Sequence, residues 1–273
     1  MMLIEKHRPL LERIGLATLA GVKSFRGEVV ESIAGKRDVQ RIRATDESGR
    51  PLVMYLKRHW RSDRKEALLS LLKHGRVWSV ARAEWENARI LQQAGFHTAG
   101  LVACGDEMTL VGERFSFLLT EAARGPVTLG QFNEDCRDRT LRRKVFDALA
   151  LELRRLHHAG LSMPDLFSRH VFFDPAAHPL EFSFIDVARL ERRRHLPIAH
   201  RARGLAALNV TSPIRFVSAR ERVRFLRVYA GDGPMRPLVT HIKARTSRLL
   251  ERKKYRSFLE PAAPSGRNTA QNS

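Results

Sequence analysis

The apolar period changes once along the chain, and that change sets what it can fold into. Val39-Gln40-Arg41-Ile42-Arg43-Ala44 alternates apolar and polar residues, the pattern of a half-buried strand. Leu52 to Lys57 resumes it after a turn at Asp46 to Pro51, so 39–57 reads as a hairpin. Phe25 to Val30, 101–105 and 115–120 add short β-prone runs. One helix interrupts them: Trp78, Ala81, Trp85, Ala88 and Leu91 share a face, and Gly95 suits its C-cap. From 124 onward the period is helical. Val145, Leu149, Leu153 and Leu156 stripe a helix from Leu141 to His158, which stops at Ala159-Gly160. Two short strands, 171–173 and 182–185, flank a turn at 174–179. Basic helices follow at 201–209, 218–231 and 236–256. The expected fold is α+β: an N-terminal lobe of antiparallel strands with one helix over 1–123, a mainly helical lobe over 124–260, and a disordered polar tail over 261–273. No internal repeat is found.

Composition narrows the function classes. The 273 residues include 49 Lys+Arg and 29 Asp+Glu, a net charge of +20, and 43% are hydrophobic, which excludes a disordered chain. Cys104 and Cys136 form no CxxC word, which argues for a reducing compartment and against a cysteine-built zinc site. No run reaches the ~18 to 20 apolar residues of a membrane span, and the charged N-terminus lacks the order of a signal peptide. A cytoplasmic protein, soluble or peripheral on a surface, is expected. Its charge calls for an acidic partner: nucleic acid, anionic lipid or a phosphorylated small molecule.

The order of polar residues says more. Lys57 ends a strand, and Glu84 sits on the next helix. A later strand runs into Glu121. Asp165 follows the long helix, His170 stands five residues on, and Asp186 closes a short strand. Phosphoryl transfer needs a cation on the nucleotide phosphates and a carboxylate to hold that cation. It also needs one carboxylate to orient the acceptor hydroxyl and another to hold Mg²⁺. The spacing matches the protein-kinase layout, so the fold expectation becomes a bilobal protein-kinase-like fold.

The words around these residues carry a resemblance. Met54-Tyr55-Leu56-Lys57-Arg58-His59, Glu84-Trp85, Ser116 to Glu121, Leu156 to Leu161, Asp165-Leu166-Phe167 with His170, and Ile185-Asp186 through Arg189 resemble the bacterial lipopolysaccharide core heptose kinase and Kdo kinase family. The similarity runs from about residue 25 to 230. The resemblance implies ATP and Mg²⁺ as cofactors, with Lys57 on the α/β-phosphates paired to Glu84, and adenine at backbone groups of Glu121 and Ala123. It implies Asp165 as catalytic base and Asp186 as the Mg²⁺ ligand. His170 stands where protein kinases carry Asn, as a metal ligand or as a group orienting Asp165 or a phosphate. The implied acceptor is a sugar hydroxyl of an anionic glycolipid, the lipopolysaccharide inner core, reached from the inner face of the inner membrane. The surplus positive charge suits an anionic membrane surface.

Three departures accompany it. Gly27 stands alone in the first hairpin, and Gly35-Lys36-Arg37 comes late for a phosphate loop. Met163-Pro164 replaces the usual His-Arg before the catalytic Asp. Gly204 stands where an Asp bracing that loop is expected. These leave a nucleotide-binding pseudokinase and an aminoglycoside-type small-molecule kinase as alternative readings. No word for specific nucleic-acid binding occurs. Glu86 competes with Glu84 for Lys57 from another helix face. His157 and His158 read as cationic or hydrogen-bond-donor caps at the end of their helix, the tryptophans as packing residues, and Arg192 to Arg194 as a solvated run or an anionic-substrate contact.

Overall fold

The computed structural model describes residues 1–60, 78–109 and 112–252. The expected tail from 261 and the end of the last helix beyond 252 lie outside them. The chain divides into two compact units. One holds Met1–Thr128 with His170–Arg193; the other holds Leu129–Arg169 and the chain from Arg194 on.

The first unit is built on strands β1 (Met2–Leu3), β2 (Glu28–Ile33), β3 (Arg37–Thr45), β4 (Pro51–Trp60), β6 (Leu101–Thr109) and β7 (Gly112–Glu121). They form one antiparallel sheet in the order β1-β6-β7-β4-β3-β2. The β3–β4 register runs from Arg37↔His59 to Thr45↔Pro51. The first hairpin turns at Gly35, with φ 68°. The first strand starts at Glu28 rather than Phe25, and Gly27 lies before it, outside the turn.

Residues 1–24, which the apolar pattern left unassigned, contribute β1, α1 (Arg8–Arg13) and α2 (Leu19–Ser24). Thr18 caps α2 by accepting the Gly21 N–H. Leu10, Leu11, Leu16 and Val22 pack with Ile42, Met54, Leu56, Phe115 and Phe117 in one core. Arg58 anchors this layer. It is 2% exposed, reaches Asp38 at 2.7 Å, and donates to the carbonyls of Val22, Lys23 and Phe25. A second, small sheet joins β5 (His97–Thr98), β8 (Val127–Thr128), β9 (Val171–Phe173) and β10 (Phe182–Phe184) in the order β5-β10-β9-β8. It returns residues 170–193 to the first unit.

Helix α3 (Val80–Gln93) is the helix expected before Gly95. The second unit carries α4 (Leu129–Asp135), α5 (Arg139–His158), α6 (Ile198–Val210), α7 (Ala219–Ala230) and α8 (Met235–Leu250). Val145, Leu149, Leu153 and Leu156 are buried, as their spacing requires. The mixed α+β class expected from the sequence is the one observed.

Arg58→Met should remove about 3–5 kcal/mol of stability, because Asp38 and three carbonyls lose a buried partner. A urea unfolding midpoint within error of wild type would contradict this anchor role.

Candidate functional site

Period two along β4 turns Met54, Leu56, Arg58 and Trp60 toward the core and Lys57 to the other face, where α3 lies. There Lys57 Nζ donates to Glu84 Oε1 at 2.6 Å, with side chains only 16% and 8% exposed. Glu86, the competitor, is taken by Arg82 and Arg89. Burial opposes the charge on Lys57, but Glu84 and Asp186 outweigh it and raise the amine's pKa above its ordinary value.

Position along α3 is set at its N-terminus. Ser79 Oγ accepts the Arg82 N–H and donates to Asp106 Oδ2 at 2.7 Å. Glu113 Oε2 accepts the Val80 N–H at 2.9 Å. These bonds cap orphan donors and fix the helix to β6 and β7. His59, two residues after Lys57 on the same face, has its pKa pushed down to about 4 by burial and by Arg37 and Lys57, which leaves the ring neutral near pH 7.

Asp186 follows β10 with φ 56°, the one described non-glycine residue at positive φ. Such a conformation persists where surrounding contacts hold it, and it gathers at functional sites. Asn87, one turn along α3 from Glu84, is among those contacts. Its amide donates to the carbonyls of Val187 at 3.0 Å and Ala188 at 2.9 Å. One helix therefore holds both the Lys57 partner and the segment bearing Asp186. Sequence reasoning missed Asn87, since a lone Asn in a helix gives no period signal.

His170 is buried, with Nε2 3.6 Å from Asp186 Oδ2, and its carbonyl accepts the Ile185 N–H. No cluster of three His, Cys, Asp or Glu side chains that could hold a metal occurs among the described residues. Asp186 supplies the oxygen ligand that Mg²⁺ would take, and the His170 imidazole beside it suits a carboxylate or phosphate partner better than that ion.

At the end of β7, the Glu121 N–H is committed to Gly100 O at 2.7 Å, and its carboxylate lies 3.5 Å from Lys6 Nζ and 3.2 Å from His7 Nε2. Ala123 N–H has no hydrogen-bond partner among the described residues and remains available to a base.

Asp165 stands in the second unit, half-buried between buried Met163 and buried Leu166 and Phe167. Other contacts take the place of the missing braces. Ser168 N–H donates to Thr211 Oγ1 at 2.9 Å, and Ser168 Oγ to Thr211 O at 2.7 Å. Ser162 Oγ donates to His200 O. Gly204 lets α6 press against the loop: a Cβ there would lie 2.6 Å from Met163 O. The absence of a side chain at Gly204 is also what allows this close approach. His157 ends its helix, but not as a cation. It is buried with Nδ1 2.6 Å from Tyr229 Oη, and burial, with Arg201 and His158, pushes its pKa down to about 3. Trp60 and Trp85 pack, as expected, and Arg192 to Arg194 are exposed.

The family described as "Lipopolysaccharide kinase (Kdo/WaaP) family" matches residues 20–229. The chain belongs to that family. The lipopolysaccharide core heptose(I) kinase WaaP of Pseudomonas aeruginosa is 29% identical over 216 residues, covering 76% of this chain and 78% of that one. WaaP of Escherichia coli K12 is 26% identical over 234 residues, covering 83% and 86%. A solved structure of WaaP in complex with acyl carrier protein is similar with a TM-score of 0.64 and 26% identity. It spans 95% of this chain and 100% of that one. The kinase-like α+β fold and the kinase class of the enzyme expected from the sequence agree with these findings. No helix of the described residues is long and apolar enough to cross a membrane.

If Asn87 positions the Asp186 segment, Asn87→Ala should lower kcat on the order of 10- to 100-fold and raise the Mg²⁺ concentration needed for half-maximal rate. An unchanged Mg²⁺ requirement would leave Asn87 a purely structural residue.

Proposed function

We propose that the protein transfers the γ-phosphoryl group of ATP to a sugar hydroxyl of the lipopolysaccharide inner core, with a heptose as acceptor. The observation that carries the reading is the buried Lys57–Glu84 pair at 2.6 Å, on a face that also feels the charge of Asp186. Relatives named as heptose(I) kinases support the choice of heptose over Kdo.

Lys57 binds the α/β-phosphates, held in place by Glu84. Ala123 meets the adenine through its N–H and Glu121 through its carbonyl, the Glu121 N–H being taken by Gly100 O. Asp165 orients the acceptor hydroxyl and takes its proton as the oxygen attacks the γ-phosphorus and the bond to the ADP oxygen breaks. Asp186 would hold Mg²⁺, which would offset charge on the phosphate oxygens. His170, 3.6 Å from Asp186, serves that ligand from the side. The half-buried setting of Asp165 and the bonds around its loop favour an active enzyme over a pseudokinase.

ADP release with ATP, Mg²⁺ and a heptose-containing core acceptor tests this. Asp165→Ala and Asp186→Ala should each lower turnover by about 10²-fold or more. Wild-type turnover in either variant, or no phosphotransfer by the wild type, would refute the assignment.

The acceptor is part of a membrane glycolipid, and the chain carries a charge of +20. The protein therefore works at the anionic inner face of the membrane, each Lys or Arg near the surface adding about 1 kcal/mol. Sedimentation with anionic vesicles should exceed that with neutral ones and fall as salt is raised. Binding indifferent to lipid charge would remove this part of the reading.

A further inference from the structure

The second unit holds a basic cavity that the phosphotransfer reading does not use. It measures about 240 Å³ and is bounded by the last turns of α5 and α7 and the first turns of α6 and α8. Arg154, His158 and Arg201 line it beside Tyr229, and no carboxylate does. None of the three basic side chains has an acidic partner among the described residues. The chain pairs many of its other arginines: Arg142 with Glu221, Arg155 with Glu152, Arg224 with Asp147. Gathering like charges without a carboxylate opposes folding unless an anion joins them.

Two further features point the same way. α6 and α8 begin at Pro197 and Pro234, and neither N-terminus is capped by a side chain. The positive ends of these helices therefore favour an anion near the cavity. Behind the lining residue Tyr229, His157 meets Tyr229 Oη through Nδ1, while its Nε2 is buried with no hydrogen-bond partner. Burial lowers the pKa of His157 and raises that of Tyr229; Arg201 and His158 add to the first shift, and Arg201 and Arg154 oppose the second. Gly231, φ 56°, leaves room for the Arg154 guanidinium: a Cβ there would lie 2.4 Å from Nη1.

We infer that this cavity binds an oxyanion, a phosphate or carboxylate group, held by Arg154, Arg201 and His158 and by the N-termini of α6 and α8. Arginine forks match both groups bidentately. The anion comes either from an acidic group of the acceptor glycan or from a free phosphate acting on the enzyme. The inference stands whether or not the protein phosphorylates heptose, because the cavity's charge and shape carry it.

Calorimetry on the full chain with inorganic phosphate as the probe, at constant ionic strength, tests it. Wild type should bind phosphate in excess of chloride. Arg154→Gln and, separately, the milder His158→Gln should weaken that binding about 10-fold and 3-fold. Phosphate held at the nucleotide site would survive both variants, so unchanged affinity in both overturns the inference, as does wild-type binding no stronger than chloride. Kinetics separates the sources. A raised KM for the acceptor with kcat and the KM for ATP unchanged assigns the site to the acceptor's acidic group. An unchanged acceptor KM alongside lost phosphate binding assigns it to a free anion.

Discussion

Two adjacent cations on one strand organise the first unit. β4 presents Lys57 to one face of the sheet and Arg58 to the other, because successive side chains of a strand alternate. Arg58 gathers Asp38 and the carbonyls that end α2, so the N-terminal helices are tied to the strand that carries Lys57. Lys57 meets Glu84 on the opposite face. A one-residue slip of β4 against its neighbours would exchange the two, burying Lys57 under the helices and leaving Glu84 without its partner. The register from Arg37↔His59 to Thr45↔Pro51 is therefore a constraint on the chemistry as much as on the fold.

Helix α3 converts that register into a site. Its capped N-terminus is bound to β6 and β7 through Ser79, Asp106 and Glu113. Three positions apart, Glu84 and Asn87 reach a lysine and the backbone after Asp186. Movement of this one helix would disturb both contacts together. The second unit uses a comparable device. Arg142, 6% exposed, joins Glu221 to the carbonyls of Asn133, Cys136 and Phe216, binding α4, α5 and α7 around one buried guanidinium. A planar group with five donors suits such multi-carbonyl junctions better than an ammonium does.

Much of the architecture was legible before any coordinates. The alternation at 39–57, the stripe Val145, Leu149, Leu153 and Leu156, and the glycines after two helices each correspond to an observed element. The pairing of Lys57 with Glu84 was implied by the family resemblance, with Glu86 an open competitor that the structure instead gives to Arg82 and Arg89. The first 24 residues were not, because their short helices have too few turns for a period to emerge. Gly204 was read as a lost brace, because a sequence records the absence of a carboxylate but not the close approach that a missing side chain permits. Ser168 and Thr211, 43 residues apart, and Asn87 and Val187, 100 apart, bond side chain to backbone. Such partners leave no residue pattern, since every residue has a backbone.

The sequence by itself determined the α+β class, the order of strand, helix and loop, and the order of Lys57, Glu84, Asp165 and Asp186 on which the proposed phosphotransfer rests. Those follow from local periodicity and from side-chain chemistry, which neighbours in the chain express. Tertiary structure alone decided the positive φ of Asp186, the support of the Asp165 loop by Gly204 and Thr211, the burial of His157 against Tyr229, and the gathering of three basic side chains without a carboxylate in one cavity. Each depends on what burial and distant backbone bring within a few ångströms, and desolvation and hydrogen bonding act only at that range.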